Sequence, residues 1–504
     1  MLKLIFAVAA AALSLADRPA EDPLRPDAQG IVQEVFDGKG NQALYGQWRS
    51  SKIGGGGYLL NVLQNRAKPD TIYVHSDVGG IFRSDDSGRN WYMIHNTFWP
   101  QSLDCVRSML VNPDDPDDLV AAVGSQWSRQ QGIYRSTDGG RSWKKTLDCQ
   151  VFGNGPRRAA GVLLQRSSQE QNTIYAAPGP EGVFVSRDSG DTWESLGMEG
   201  YYVDDFKIDP NQSDRMFLCA VSRRMHHRTD WTGGEYRQLK GGFFRSDDGG
   251  KNWTQLADEA PIGMLPDSIN PKRWYAIFGG TRIKYSEDFG ASWTDYSAGL
   301  KLSDKKPRSH QDTYYISLGA GPDFLVTGSG TGTFYIRKPL DAEWQKIEST
   351  SIQGDWYARS LPGKWEHFGR ACSSVTIDWQ NPAHWYFTDW YSLYQTWDSG
   401  KTWTLTLDGI ENTVIHTVMQ DPRNPDVVHM GMADNGYFRS EDGAASFEQG
   451  KISFDNCKAI ALAPSDSNRV YVLGPETHGW YSNWLYSSPD GGRTFRKTAM
   501  KNTP

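Results

Sequence analysis

The sequence predicts an all-β protein, a β-propeller of four-stranded antiparallel blades numbering about seven to nine. Three observations carry this. An octapeptide recurs along the chain, a second turn signal recurs in phase with it, and the composition suits short strands joined by tight turns. The octapeptide is S/T-x-D-x-G-x-x-W/F, at 84–91, 136–143, 186–193, 246–253, 286–293 and 396–403. Two looser copies follow at 440–447, with Ala444 in place of Gly, and at 488–495, ending in Phe495. This is the Asp box. Its Asp accepts hydrogen bonds from turn amides and from the Ser or Thr hydroxyl, its Gly permits a positive φ, and its aromatic ring caps the core. The box Asp residues are therefore read as structural.

The in-phase signal is an Asn-Pro or Asp-Pro ahead of most boxes, as at Asn112-Pro113, Asp209-Pro210, Asn270-Pro271, Asn381-Pro382 and Asp421-Pro422. An apolar strand comes next, then Gly, two apolar or aromatic positions and the box. Each unit reads as strands A to D with the box at the C–D turn. One such sheet cannot bury both faces, and stacking sheets around an axis solves this. Eight boxes plus a box-free unit at 312–347 make nine units, spread over 51–504. They form either one large ring or a seven-bladed ring followed by the start of a second. The 20 Trp, 23 Tyr and 52 Gly, with 22% charged residues, agree with strands and turns.

The ends and the charge set the compartment and exclude some partners. Lys3, an apolar run over 4–13 and Ser14-Leu15-Ala16 read as a signal peptide over 1–16. The run is too short to span a bilayer. Residues 17–50 form a lead-in, and the expected mature chain is secreted, extracellular or periplasmic, monomeric and without a membrane partner. A net charge of −7 argues against nucleic acid. The five Cys match no zinc spacing. Cys105 and Cys149 both follow Leu-Asp, so they read either as an exported disulfide or as buried strand thiols. No metal or other cofactor is implied, because the glycine runs lack the strand–loop–helix setting of a phosphate cradle.

Ligands of propellers bind on the face formed by the B–C and D–A loops, opposite the boxes, and loops that differ from one another tend to carry function. The longest B–C loop, 222–240, holds Arg224, His227 and Trp231. The D–A loop 353–370 holds Trp356, His367 and Arg370. Other loops add Trp127, Arg129, Arg157, Arg158 and Tyr202, and later Trp390, His478 and Trp480. Aromatic rings with Arg and His suit stacking on sugars and hydrogen bonding to hydroxyls or carboxylates. A polysaccharide or oligosaccharide is the expected substrate.

Two stretches narrow this further. Ile53 with the glycines 54–57, then Ser76-Asp77-Val78-Gly79-Gly80, resembles the opening of the xyloglucan-active glycoside hydrolases, the endo-xyloglucanases and oligoxyloglucan reducing-end-specific cellobiohydrolases. Downstream, Gly409-Ile410-Glu411-Asn412-Thr413-Val414 and Gly431-Met432-Ala433-Asp434-Asn435-Gly436-Tyr437-Phe438 resemble that family's Gly-[Leu/Ile]-Glu-Glu-Thr-Ala … Gly-Asp-[Ile/Val]-Gly-Gly-Phe, departing at Asn435 and Tyr437. The resemblance implies two seven-bladed propellers, inversion at the anomeric carbon, Asp77 as general base and Asp434 as general acid. In that chemistry one carboxylic acid protonates the leaving oxygen and one carboxylate activates water.

Two other functions fit the loops. The Arg and His residues at 223–228, with Arg157, Arg158 and Arg370, suit a polysaccharide lyase, in which cations neutralise a uronate and a His or Tyr removes a proton. Unsaturated, ultraviolet-absorbing products would mark it. A non-enzymatic glycan- or protein-binding propeller would bind without turnover.

Overall fold

In a computed structural model of the chain, the described residues within 51–504 form nine blades, eight of four antiparallel strands and one with a fifth, parallel edge strand, plus a two-stranded arm. The structure describes residues 41–43, 46–48, 57–94, 105–124, 130–151, 162–226, 236–301, 315–329, 332–352, 372–389, 392–410, 412–433, 435–452, 456–475 and 483–501. Residues 1–50 form a separate unit, whose described part is a hairpin of Asn41–Ala43 and Gly46–Trp48. The signal peptide over 1–16 lies outside the described residues.

Each blade follows the predicted A-B-C-D order. Blade one runs Leu59–Gln64, Ile72–Ser76, Ile81–Ser84, Tyr92–Met93, each strand paired with the next. The box-free unit forms blade six, Tyr315–Ala320 to Gln345–Lys346. Blade four extends its B–C connection as an arm, Arg223–His226 paired with Tyr236–Leu239. Blade seven gains an edge strand, Thr350–Ile352, parallel to Thr402–Leu405.

The boxes are built alike. In all eight the Ser or Thr hydroxyl donates to the box Asp at 2.7–2.9 Å. The same hydroxyl accepts the amide N–H at the fifth box position at 2.7–3.0 Å. Trp91, Trp143 and Trp253 donate their indole N–H to the carbonyl of the box Gly. That fifth position is left-handed throughout, and Ala444 is held there at φ 72°.

Seven blades close the ring. Cores lie between blades, such as Tyr73, Ile81, Val106 and Met109 between blades one and two. The last seam joins blade seven to blade one. There Leu59, Val62, Val74 and Phe82 pack on Tyr386, Leu393, Leu407 and Ile410, and the Leu59 N–H donates to the Asp389 carbonyl at 3.1 Å. Buried side chains fasten other seams. Asp205 on blade four accepts the Val162 N–H of blade three and the Met264 N–H of blade five, both at 2.9 Å. His75 of blade one donates from Nδ1 to the Val106 carbonyl of blade two at 2.8 Å.

Blades eight and nine stand beyond this ring and pack on each other through Tyr437, Cys457, Ile460 and Val472. The inner strand of blade eight, Ile415–Gln420, is exposed along most of its length, with Val418 55% accessible. Of the two arrangements the sequence left open, the structure has the seven-bladed ring with two further blades. All five cysteines are free and buried, which rules out the Cys105–Cys149 disulfide and leaves the strand-thiol reading. Among the described residues no helix is long and apolar enough to cross a membrane.

Two stability predictions follow from these turns and seams. A residue with a Cβ pays roughly 1–2 kcal/mol in the left-handed region, and glycine gives part of that back through the unfolded chain. Ala444→Gly should raise unfolding stability by about 0.5–1 kcal/mol in a denaturant titration. A lowered midpoint would mean that the Ala444 methyl contributes more to the Val428–Met430 cluster than its backbone costs. The second concerns acid. Burial lowers the imidazoles of His75 and His429 to about 4. Hydrogen bonds from Thr192, Ser446 and Thr494 lead in holding Asp188, Asp442 and Asp490 at about 2. In each case the native state binds its proton less readily than the unfolded chain, so this stability is present at high pH and lost on acidification. Thermal midpoints should hold above pH 7, fall between about 6.5 and 4 as the histidines charge, and fall again between about 4 and 2. A flat midpoint from pH 7 to 4.5 would refute the histidine part.

Candidate functional site

Asp77 begins the B–C turn of blade one, on the face opposite the boxes. The turn is three residues, 77–79, because the Ser76 N–H donates to the Gly80 carbonyl at 2.9 Å and His75 pairs with Ile81. Gly80 takes φ 80° to close it. The Gly79 N–H donates to Ser76 Oγ at 2.7 Å. Asp77 is 2% exposed. Its N–H donates to the Tyr58 carbonyl at 3.0 Å, and its Oδ1 accepts the Tyr58 N–H at 3.1 Å. The backbone of the first strand thus fixes both ends of this residue.

Blade eight repeats the turn. Its Met432 pairs with Gly436, and the Ala433 N–H donates to the Val414 carbonyl at 2.9 Å, as Asp77 does to Tyr58. Counting from the paired strands and the boxes, Gly436 matches Gly80 and Ser440 matches Ser84. Position 433 therefore matches Asp77, and position 434 matches Val78. Asn435, matching Gly79, is buried, and its Nδ2 has no hydrogen-bond partner among the described residues.

The second family-like stretch comes to the first in space. The chain leaves blade seven through Leu407, and the Trp91 N–H donates to the Asp408 carbonyl at 2.7 Å. Ile410 enters the core between blades one and seven. Asn412 then lies against both Gly57 and Gly79, and its carboxamide fills the space where a side chain on either glycine would go. Asn412 is 4% exposed. Neither its Nδ2 nor its Oδ1 has a partner among the described residues. Sequence reading did not single out Asn412. The one signal available was its departure from the second Glu of the family stretch.

Asp389 was also not singled out. It follows strand B of blade seven, is fully buried, and accepts the Ser392 N–H on Oδ1 at 2.8 Å. Its carboxylate caps its own turn, and its carbonyl holds Leu59. Asp77 and Asp389 thus flank the dipeptide Tyr58–Leu59.

The remaining expected residues divide sharply. Tyr202 is described, but it is 3% exposed and packed with Leu239 and Val221, so its ring has no free face for a sugar. Its position at the start of an inner strand explains this, because the arm of blade four covers it. Arg224 lies on that arm, in strand Arg223–His226. Asp434, Trp127, Arg129, Arg157, Arg158, His227, Trp231, Trp356, His367, Arg370, Trp390, His478 and Trp480 lie outside the described residues. Among the described residues no cluster of His, Cys, Asp and Glu has the arrangement of a metal site.

Comparison with known proteins leads back to the family that the motifs resemble. No family model matches the chain. A xyloglucanase of a Paenibacillus species is 30% identical over 236 residues, covering 44% of this chain and 23% of the relative. The oligoxyloglucan-reducing end-specific xyloglucanase of Emericella nidulans is 20% identical over 554 residues, covering 89% of this chain and 65% of the relative. The chain thus spans less than two thirds of either relative's length. Among solved structures, the GH74 enzyme of Niastella koreensis superposes with a TM-score of 0.69 at 17% identity, covering 92% of this chain and 67% of that one. The fold is shared with that enzyme.

Proposed function

We propose that the protein is a secreted glycoside hydrolase acting on xyloglucan or a closely similar β-glucan, with Asp77 as general base and Asp434 as general acid. The observation that carries this reading is the meeting of its two family-like stretches. Asn412, from the downstream stretch, lies against Gly57 and Gly79, which flank Asp77 in the upstream one. The likeness to xyloglucanases supports the substrate class. The signal-like leader 1–16 supports export.

In this mechanism the Asp77 carboxylate takes a proton from a water as that water attacks the anomeric carbon. Asp434 gives a proton to the departing glycosidic oxygen. The product has the inverted configuration, and the two carboxyl groups need a separation of about 6.5–9.5 Å to admit the water. The Tyr58 N–H holds the Asp77 Oδ1 in place, which keeps the carboxylate aimed. The loop residues Trp127, Trp231, Trp356, Trp390 and Trp480 would stack on sugar rings. Arg129, Arg157, Arg158, Arg224 and Arg370, with His227, His367 and His478, would bind hydroxyls.

The test is hydrolysis of tamarind xyloglucan by the full chain, followed by reducing-end release and by proton NMR of the first-formed anomer. Asp77→Asn and Asp434→Asn should each cut kcat by at least 100-fold while leaving the melting temperature near that of the parent, since general acid–base catalysis supplies about 10²–10⁴-fold. The first-formed product should be the α anomer from a β-linked glucan. Full activity in both variants would sink the mechanism. Turnover of uronate polymers to unsaturated products would move the assignment to the lyase reading.

A further inference from the structure

The segment joining blades seven and eight does two things at once. Leu407 and Ile410 fill the core of the seam that closes the ring. The Asp408 carbonyl accepts the Trp91 N–H, and Gly409 passes so close to the Trp91 carbonyl that a side chain there would collide with it. The segment thus climbs from the box of blade one to its opposite face. It ends with Asn412 seated in the gap between Gly57 and Gly79, after which blade eight begins.

A buried amide without hydrogen-bond partners is costly, and native structures hold few of them. A shorter apolar residue would fill the same gap without that cost. The amide is also packed against the 77–79 turn at Gly79. Gly79 lacks the Cβ that would stiffen it, and Asn412 occupies the place of that Cβ. Ser76 Oγ holds Gly79 from its own strand, and Asn412 bounds it from the strap.

We infer that residues 407–410, with Asn412 beyond them, strap the closing seam and that Asn412 is a positioning residue for Asp77, holding the 77–79 turn from the side of blade eight. This rests on the reading of Asp77 as the base. Asn412 touches no reacting atom in this account. It restricts where the turn can move, so that the Asp77 carboxylate points at its water with little freedom. Misplacing a catalytic group by about 1 Å costs on the order of 100-fold in rate.

The experiment is a double-mutant cycle on the full chain with xyloglucan as substrate, using Asn412→Ala, Gly79→Ala and the two combined. Asn412→Ala should lower kcat about 10- to 100-fold with KM within about twofold, shift the acidic limb of the kcat/KM profile, and change the melting temperature little. Gly79→Ala alone should lower both kcat and melting temperature, because its methyl meets the Asn412 amide. Adding Asn412→Ala should restore the melting temperature, since the methyl then occupies the vacated space. Parent-like kcat and pH profile in Asn412→Ala, with Asp77→Asn inactive, would overturn the inference and leave the base assignment standing. A loss of kcat that merely tracks a lowered melting temperature, with an unmoved pH limb, would also overturn it. Full activity in Asp77→Asn would overturn the base assignment and the positioning role together.

Discussion

Everything above the level of a single sheet depends on the seam between blades seven and one. A blade is four strands with two faces to bury, and each face is buried only by its neighbour. Six seams form between blades that follow one another in sequence, and the seventh must join the ends of the ring. Here no strand is exchanged to close it, because blade one holds all four of its own strands. The closure is instead made of backbone and core. Leu59 donates to the Asp389 carbonyl, Ser373 Oγ donates to the Leu60 carbonyl at 2.9 Å, and Thr376 Oγ1 donates to the Val62 carbonyl at 3.1 Å. Over these lies the apolar cluster completed by Leu407 and Ile410. The candidate site sits at one end of this same seam, so what closes the ring also shapes the turn that carries Asp77.

The fold was legible in the sequence because its signals are local. Each Asp box states a turn with its own hydrogen-bonding partners inside eight residues, and strand alternation between boxes supplies the rest. Even blade six, which has no box, was readable from its strands. The ring size was not legible, because periodicity counts units without saying which unit meets the first. That choice is made by contacts such as Thr376 to Val62 and Gln395 to the Gly88 carbonyl, between segments at opposite ends of the ring's sequence. The disulfide reading failed for a related reason. Cys105 and Cys149 share a local Leu-Asp context, yet each thiol is buried in a different place, Cys149 in the core between blades two and three.

The site was legible in part. Motif resemblance pointed to the turn of Asp77, which is short and glycine-rich. Tyr202 misled because an aromatic residue beside a D–A loop looks available to a sugar, whereas the arm of blade four covers it. Asn412 was missed because a polar residue in a connecting segment gives no sign of burial. Its character comes from two glycines far away in the chain, and a glycine's lack of a side chain becomes informative only when something else is found in that space.

The turn of blade eight sharpens the chemical question. The two B–C turns have the same length, the same flanking strand pairs and the same bond to the first strand. At the position of Asp77, blade eight has Ala433, and its carboxylate comes one residue later. Asp77 is tied to Tyr58 through its own Oδ1 as well as its N–H, whereas Ala433 makes only the backbone half of that pair with Val414. A base gains from such restraint, since it must stay ionised and aimed.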